Sequence, residues 1–490
     1  MTMPTSRLPA LGRRYLMLAG AAAAAATGLR PAHAAAQAAH NSASGVSTIR
    51  LVARPGRAAL VGPSHPETAV WGYDGRIPGS EIRVRQGERL RVVLENRLPQ
   101  ETTIHWHGLR VPNAMDGVPH LTQPPIAPGE IFAYEFEVQD AGTYWYHPHV
   151  RSFEQVERGL YGPLVVEERE PPPTIDRDVT WVLDDWRLLE DAQIAGDFGN
   201  AMEAGMAGRV GNTVTVNGRV PDAGFTVRSG ERLRLRLVNA ANARIFGLVF
   251  EGHEPVVIAL DGQPVAPHAP EDGRVVVGPG MRVDLVLDMT GRPGTRARVL
   301  DTYYASLEYK LLDIAYGAEP LRDRPPAPPV PGLPANPVSE PDLARAERHA
   351  VVLGGGMMNH LEGALVDGRW LDAREMTSRG LTWTVNGTAA APGLHVHEPL
   401  AVLRRGASYL LAIRNETAWP HPMHLHGHSF RVTTRNGVPT RHREWQDTVL
   451  IPRRESAEIA FVADNPGDWM FHCHVLEHQA AGMMGLVRVA

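Results

Sequence analysis

VRQGERLRVVLEN, at 84–96, returns twice along this chain, as VRSGERLRLRLVN at 227–239 and LRRGASYLLAIRN at 403–415. Each copy carries a glycine followed nine residues later by asparagine, with apolar positions alternating between them. That period of two is the pattern of a half-buried strand. A second repeat lies downstream of each copy. GTYWYHPH (142–149) matches GDWMFHCH (467–474), and the middle copy has GTRARVLD (294–301) at the cognate place. The repeats predict an all-β chain of three related domains, over 45–172, 173–318 and 346–490, each of a size and strand density that suits a Greek-key β-sandwich. Between the second and third lies a linker at 319–345, whose proline-rich core RPPAPPVPGLPANPVSEP (324–341) is expected to be extended.

Composition agrees with this reading and removes others. The 490 residues hold 48 glycines and 41 prolines, and a net charge of −5 offers no basic surface for nucleic acid. Residues 1–36 read as a secretory leader: a basic front (Arg7, Arg13, Arg14), an apolar run at about 15–27 and small residues around 32–36. The run is shorter than the ~20 residues of a membrane span, and Arg13-Arg14 before it resembles a twin-arginine export signal. The mature chain is therefore expected in the periplasm or otherwise outside the cytoplasm, as a monomer. There it keeps a single cysteine, Cys473, which excludes an internal disulfide. Three readings of that thiol remain: a buried small hydrophobe, a nucleophile or a metal ligand.

The histidines decide among them. His105/His107, His147/His149, His424/His426 and His472/His474 are four i, i+2 pairs, and on a strand each pair presents two imidazoles to one face. Eight imidazoles from four segments suit a cluster of several metals rather than one ion. The middle copy has Val299 and Asp301 in their place, so the first and third domains hold the site and the second is a spacer, or shapes a substrate surface. If His472 and His474 face the cluster, Cys473 faces the other way and serves a second centre. His478, five residues on, and Met483, ten residues on, complete a thiolate, imidazole and thioether set with His421, which copper favours over zinc. Pro422 in HPMH (421–424) is expected to force an irregular turn that lets His421 face away from His424. The first domain has Pro148 where the third has Cys473, so there is one thiolate centre.

HWHG (105–108), HPH (147–149), HPMHLHGHSF (421–430) and HCHVLEHQAAGMM (472–484) resemble the four copper-binding segments of the multicopper oxidases. The bacterial three-domain members, laccases and periplasmic cuprous oxidases, look most similar, and the likeness extends through GLYGPLVV (159–166) and DDW (184–186). The resemblance implies cupredoxin-like domains and four copper ions. A type 1 copper would be held by His421, Cys473 and His478 with Met483 axial, and a type 2 copper by His105 and His424. Two type 3 coppers would take His107, His147 and His474, and His149, His426 and His472. The division of the cluster among three coppers rests on the resemblance alone. Methionine as axial ligand implies a lower potential than leucine or phenylalanine would give; Met484 is the competitor for that place.

The implied reaction is one-electron oxidation of a donor at the type 1 copper, coupled through Cys473 to reduction of dioxygen to water. The donor would be a phenol or aromatic amine, approaching an exposed edge of His478 or His421, or alternatively Cu(I) in copper tolerance. Asp116 in NAMDGVPH (113–120) stands where the family places a proton-delivering carboxylate. Gln479 replaces an acid found in some relatives, which puts a second proton route in doubt. Glu477 reads as a solvated or structural loop residue, and Asp447 in EWQDTV (444–449) as a group near the type 1 side. Met202 and Met206, in the glycine-rich stretch 196–213, and Met357 and Met358 are sparse for a copper-gathering insert. Some relatives keep the fold as a scaffold without copper; here all twelve expected ligands are present, which argues against that role.

Overall fold

Each glycine-to-asparagine repeat forms one strand, and in all three copies that strand runs parallel to the first long strand of its own unit. Arg89–Asn96 pairs with Val46–Ala58, Arg232–Asn239 with Arg177–Trp186, and Ser408–Asn415 with Glu347–Gly355. These pairings come from a computed structural model, which describes residues 39–41, 46–170, 174–327, 329–359, 361–390 and 398–490. The predicted leader, with Arg13-Arg14, lies outside the described residues.

The motif residues have a common function in folding. Gly87, Gly230 and Gly406 adopt φ of +88°, +81° and +79°, a left-handed turn that other residues enter at a cost. At the strand's far end the asparagine closes the next loop. The Asn96 amide donates to the carbonyls of Gln100 and Ile126, both at 2.8 Å, and its Oδ1 accepts from Leu98 N at 2.9 Å. Asn239 repeats this with Arg244, Val277 and Ala241. Asn415 does so with Trp419, Ile451 and Thr417. Such bonds contribute about 1 kcal/mol each, and a buried amide left without them would cost more.

Every unit has two main sheets around an apolar core, and the third adds a two-stranded sheet, Gly363–Val366 with Arg369–Asp372, over a small apolar cluster of its own. In the first, a five-stranded sheet including Val46–Ala58, Arg89–Asn96 and Ile131–Glu137 shares its core with a four-stranded sheet. That second sheet runs Ile82–Arg85, Gly162–Glu167, Gly142–His147, His105–His107. The middle unit pairs six strands with five, and the third seven with five, each again around its own cluster of buried aliphatic and aromatic side chains. The described residues nevertheless form one compact unit.

Two details extend the sequence reading. Strand pairing begins at Ala39–Asn41, ahead of the expected boundary at 45. The proline-rich segment has no helix or strand among its described residues and is not free: Asn336 donates to Ala141 O and Gln263 Oε1 and accepts from Ala141 N, tying it to the first and middle units. Among the described residues no helix is long and apolar enough to cross a membrane.

Candidate metal centre

Every histidine pair begins inside a strand and ends at or just beyond its edge. His105–His107 is itself a strand, Gly142–His147 ends at the first histidine of HPH, and Gly467–Cys473 ends one residue before His474. Antiparallel pairing sets His105 opposite His147 in the first unit and His424 opposite His472 in the third. Residues paired across a ladder share a face, so these registers turn all eight imidazoles into one space. They are buried there, none more than 7% exposed.

Ligand atoms within 4.8 Å of one another form the groups His107/His147/His474, His149/His426/His472 and His105/His107/His424. Six of these side chains carry buried ring nitrogens without a hydrogen-bond partner among the described residues: His105 Nε2, His107 Nδ1, His147 Nε2, His149 Nε2, His424 Nε2 and both nitrogens of His474. The Nε2 atoms of His426 and His472 face each other at 3.0 Å. Unpaired buried nitrogens cost about 1–3 kcal/mol each, and concentrating them in one space makes sense for ligation. In four of the eight rings Nδ1 donates a hydrogen bond, which fixes the tautomer. His105 Nδ1 donates to the Asp116 carbonyl (2.8 Å), His426 Nδ1 to Asp116 Oδ2 (2.8 Å), His424 Nδ1 to the Asp447 carbonyl (2.9 Å) and His472 Nδ1 to the Cys473 carbonyl (2.9 Å). The donor set thus fits a group of metal ions.

Cys473 faces the other side of its strand. Its register partner is Met423, while that of His472 is His424. Cys473 Sγ lies 3.4 Å from His421 Nδ1 and 3.7 Å from His478 Nδ1, and the two nitrogens are 3.2 Å apart. This sulfur-and-two-nitrogen triangle is buried, with Met483 in the same apolar cluster. Met484 pairs with His472 and therefore lies on the cluster's face of the sheet, away from the thiol.

His421 reaches the thiol by a simpler route than expected. No irregular turn forms at Pro422: His421–Leu425 is a continuous strand paired with Thr448–Ile451. His421 and His424 are three residues apart, an odd spacing, so plain alternation puts them on opposite faces.

Four more expectations are corrected. Asp447 lies on the cluster side, its Oδ1 3.2 Å from His107 Nε2 and 3.3 Å from His424 Nδ1, because the neighbouring Thr448 pairs with His424 rather than with His421. Of the two readings of Glu477 the solvated one is corrected and the structural one holds, on a helix rather than a loop: at 2% exposure it accepts from Arg209 N and Asn242 Nδ2 of the middle unit. Neither His478 nor His421 shows an open edge. His421 Nε2 is bonded to Thr417 Oγ1 of its own unit at 2.8 Å and His478 Nε2 to the Met206 carbonyl at 2.8 Å, so chain from the middle unit covers His478. The middle unit is accordingly more than a spacer. Its Arg282, missed in the sequence because no histidine marks it, forms a bidentate pair with Asp447 (2.8 and 2.5 Å).

On the far side of the cluster a cavity of about 440 Å³ is lined by His149, Arg151, Ser152, Gln479 and Met484, among others. Gln479 spans it to the histidines, its Nε2 3.4 Å from His149 Nδ1 and its Oε1 accepting from Ser152 Oγ at 3.3 Å. An amide stands here, as the sequence indicated, and holds no transferable proton.

Burial dominates the electrostatics. It pushes His107, His147, His149, His421, His424, His426 and His474 below the ordinary imidazole range, and His472 and His478 down to about 3. The Cys473 thiol is pushed up by the same cause, so it is protonated and inert until a cation displaces its proton. A consequence for stability follows. Below about pH 6.5 the unfolded chain binds protons that the folded histidines refuse, so stability falls as pH drops toward the folded values. Near pH 5 this amounts to roughly 2 kcal/mol for each of His472 and His478. Metal-free protein is expected to unfold on acidification between about pH 6.5 and 3, and copper-loaded protein to resist to lower pH. Denaturant midpoints across that range check it; a pH-independent midpoint for metal-free protein would contradict it.

Comparisons with known proteins agree with this geometry. Profiles described as multicopper oxidase match residues 58–171, 177–301 and 372–490. The multicopper oxidase MmcO of Mycobacterium tuberculosis is 30% identical over 94% of this chain and 90% of its own. Laccase-1 of Botryotinia fuckeliana is 29% identical over 84% and 77% of the two chains. Copper resistance protein A of Escherichia coli is 26% identical over 85% and 88%. Among solved structures, a multi-copper oxidase from Pseudomonas thermotolerans superposes with a TM-score of 0.79 at 35% identity, over 91% of this chain and 99% of that one. With three matched segments, a relative at this identity over nearly its whole length, and a buried constellation suited to copper, the chain belongs to the multicopper oxidase family and is a copper-dependent oxidoreductase.

Proposed function

We propose that the chain is an oxidase of four coppers, carrying electrons from a reducing substrate to dioxygen. The type 1 copper is assigned to His421, Cys473 and His478 with Met483 axial, and the type 2 copper to His105 and His424. The type 3 pair is assigned to His107, His147 and His474, and to His149, His426 and His472. One observation carries this reading: a single strand end turns Cys473 to one donor group and His472 and His474 to the other. Bound copper supplies one-electron chemistry at the thiolate centre and the four-electron reduction of dioxygen at the cluster. The protein contributes the connection between them. The Cys473 backbone is continuous with both histidines, and the His472 ring bonds back to the Cys473 carbonyl at 2.9 Å. Asp116 grips His105 and His426 and is the carboxylate placed to pass protons to the cluster.

For the electron donor, relatives named laccase and copper resistance protein support different substrates, phenols and Cu(I). The cover over His478 favours the second. Met206 caps the imidazole through its carbonyl, Met357 N donates to Gly205 O at 2.6 Å, and Met202 and Met358 are 58% and 78% exposed. Thioethers are soft ligands that suit Cu(I), whereas an aromatic ring is kept off the imidazole edge. Export by way of the leader-like residues 1–36 would place this activity in the periplasm.

Specific activity on Cu(I) and on a substituted phenol, each with and without added Cu(II), tests the choice. Replacing Met202, Met206, Met357 and Met358 with alanine together is expected to lower kcat/KM for Cu(I) about tenfold and to leave phenol oxidation unchanged. Efficient phenol oxidation without added copper, with no response of Cu(I) oxidation to the four substitutions, would assign the organic donor instead.

A further inference from the structure

The middle unit supplies none of the predicted ligands, yet it reaches the cluster at two points. The turn Gly278-Pro279-Gly280 lies against it: a Cβ added at Gly280 would meet His474 Cδ2 at 2.7 Å and His107 Cε1 at 3.1 Å. Two residues on, Arg282 is fully buried, and each of its side-chain nitrogens meets an acceptor. Besides the fork onto Asp447, its Nε donates to Thr143 O (3.1 Å), its Nη1 to Gly280 O (3.1 Å), and its backbone N to Asp261 Oδ1 (2.8 Å). Asp261 Oδ2 in turn accepts from the backbone of Asp447 (3.3 Å) and Thr448 (3.1 Å).

The fork sits in a gap that the first unit leaves open. Gly108, the glycine of HWHG, has φ +87°, and a Cβ there would lie 2.2 Å from Arg282 Nη2 and 2.5 Å from Asp447 Oδ2. Three units therefore converge on one buried ion pair. Asp447 and Thr448 then hold two cluster histidines from different units. The Thr448 hydroxyl donates to Asp447 Oδ1 (2.8 Å) and stands 3.1 Å from both His107 Nε2 and His424 Nδ1. Those rings are stacked at 3.8 Å, with His107 Nδ1 and His424 Nε2 left unpaired.

We propose that Arg282, with Asp261 behind it, is a positioning residue of the cluster. By clamping Asp447 and Thr448 it locks His107 as the Nε2–H tautomer and His424 as the Nδ1–H tautomer, so that the middle unit sets the shape of a copper site it does not ligate. A bidentate guanidinium fixes a carboxylate in plane and orientation, which an ammonium does not. Supports of this kind typically govern metal affinity by about 10–100-fold.

The inference rests on His107 and His424 being copper ligands, and the test separates the two. Copper-loaded wild-type, Arg282→Lys and Asp447→Asn proteins are compared by copper per chain, type 2 electron paramagnetic resonance, the blue thiolate band and copper retention against a chelator. Metal-free melting temperature reports the fold. Arg244→Lys, whose Arg244–Asp185 pair (2.8 Å) lies elsewhere in the middle unit, is the control. Both Arg282→Lys and Asp447→Asn are expected to keep the blue band while cluster copper is released about 10–100-fold more readily and the type 2 signal is lost or altered. A wild-type type 2 spectrum and retention in both would overturn the proposal. So would a blue band and melting temperature that fall in step with the type 2 signal, since a scaffold role predicts that. Wild-type protein without any type 2 signal would instead refute the ligand assignment. Asp447→Asn preserves side-chain shape and carries the test if the lysine variant does not fold.

Discussion

Cys473→Ser protein is expected to fold, to lose its blue colour and to oxidise neither Cu(I) nor phenols above background. Serine nearly matches cysteine in size, and Cys473 is fully enclosed by an apolar cluster that includes Met423, Phe471 and Met483. The exchange therefore leaves no large void; its cost to the fold is that of burying a hydroxyl, about 1–3 kcal/mol. The chemistry is affected far more. A hydroxyl is a hard, weakly acidic donor and cannot replace a thiolate as a copper ligand or as the origin of the blue charge-transfer band. His421 and His478 remain, as do the eight imidazoles on the other face, so the cluster should still load copper. Copper analysis showing loss of one ion per chain, with the type 2 signal retained, checks this. Retained colour, or substrate oxidation at near wild-type rate, would remove Cys473 from the electron route.

Asp116→Asn is expected to slow turnover by about 10–100-fold while the blue band and copper content stay near wild type. Two features meet at this residue, a tight turn and a buried carboxylate, and the variant separates them. Asp116 precedes Gly117, which at φ +80° lies so close to Ile104 that a Cβ would meet its carbonyl at 1.7 Å, so the Asp-Gly turn is a structural requirement. The carboxylate also accepts from His426 Nδ1 at 2.8 Å and is fully buried beside the cluster. Asparagine preserves the turn and one acceptor oxygen but can neither carry the charge nor pass a proton. A change within twofold, with an unaltered pH profile, would reduce Asp116 to its turn. Asp116→Ala, which also frees His426, should in addition weaken copper retention.

Much of this centre was legible because its rules are local. The i, i+2 histidine pairs and the cysteine between two of them need only the pleat of a strand, and the ladder registers His105–His147 and His424–His472 agree with that expectation. The Gly-to-Asn repeat announced three β units for an equally local reason: left-handed glycine at one strand end, loop-closing asparagine at the other. His421 needed no special turn, only an odd spacing from His424.

The rest depended on packing between distant segments. Asp447 was noticed, but its side of the sheet follows from which residue of the strand His421–Leu425 meets Thr448. Arg282 lies 165 residues from Asp447, and the Met206 carbonyl 272 residues from His478. Neither carries a residue type that advertises a site; an arginine and a backbone carbonyl become functional only through what they are pressed against. By itself, then, the sequence determined the candidate ligands, their two faces and the family, because alternation along a strand is a property of neighbours. Tertiary structure alone decided that a unit without predicted ligands clamps the cluster and covers His478, because a buried ion pair and a capped imidazole exist only where separate units meet.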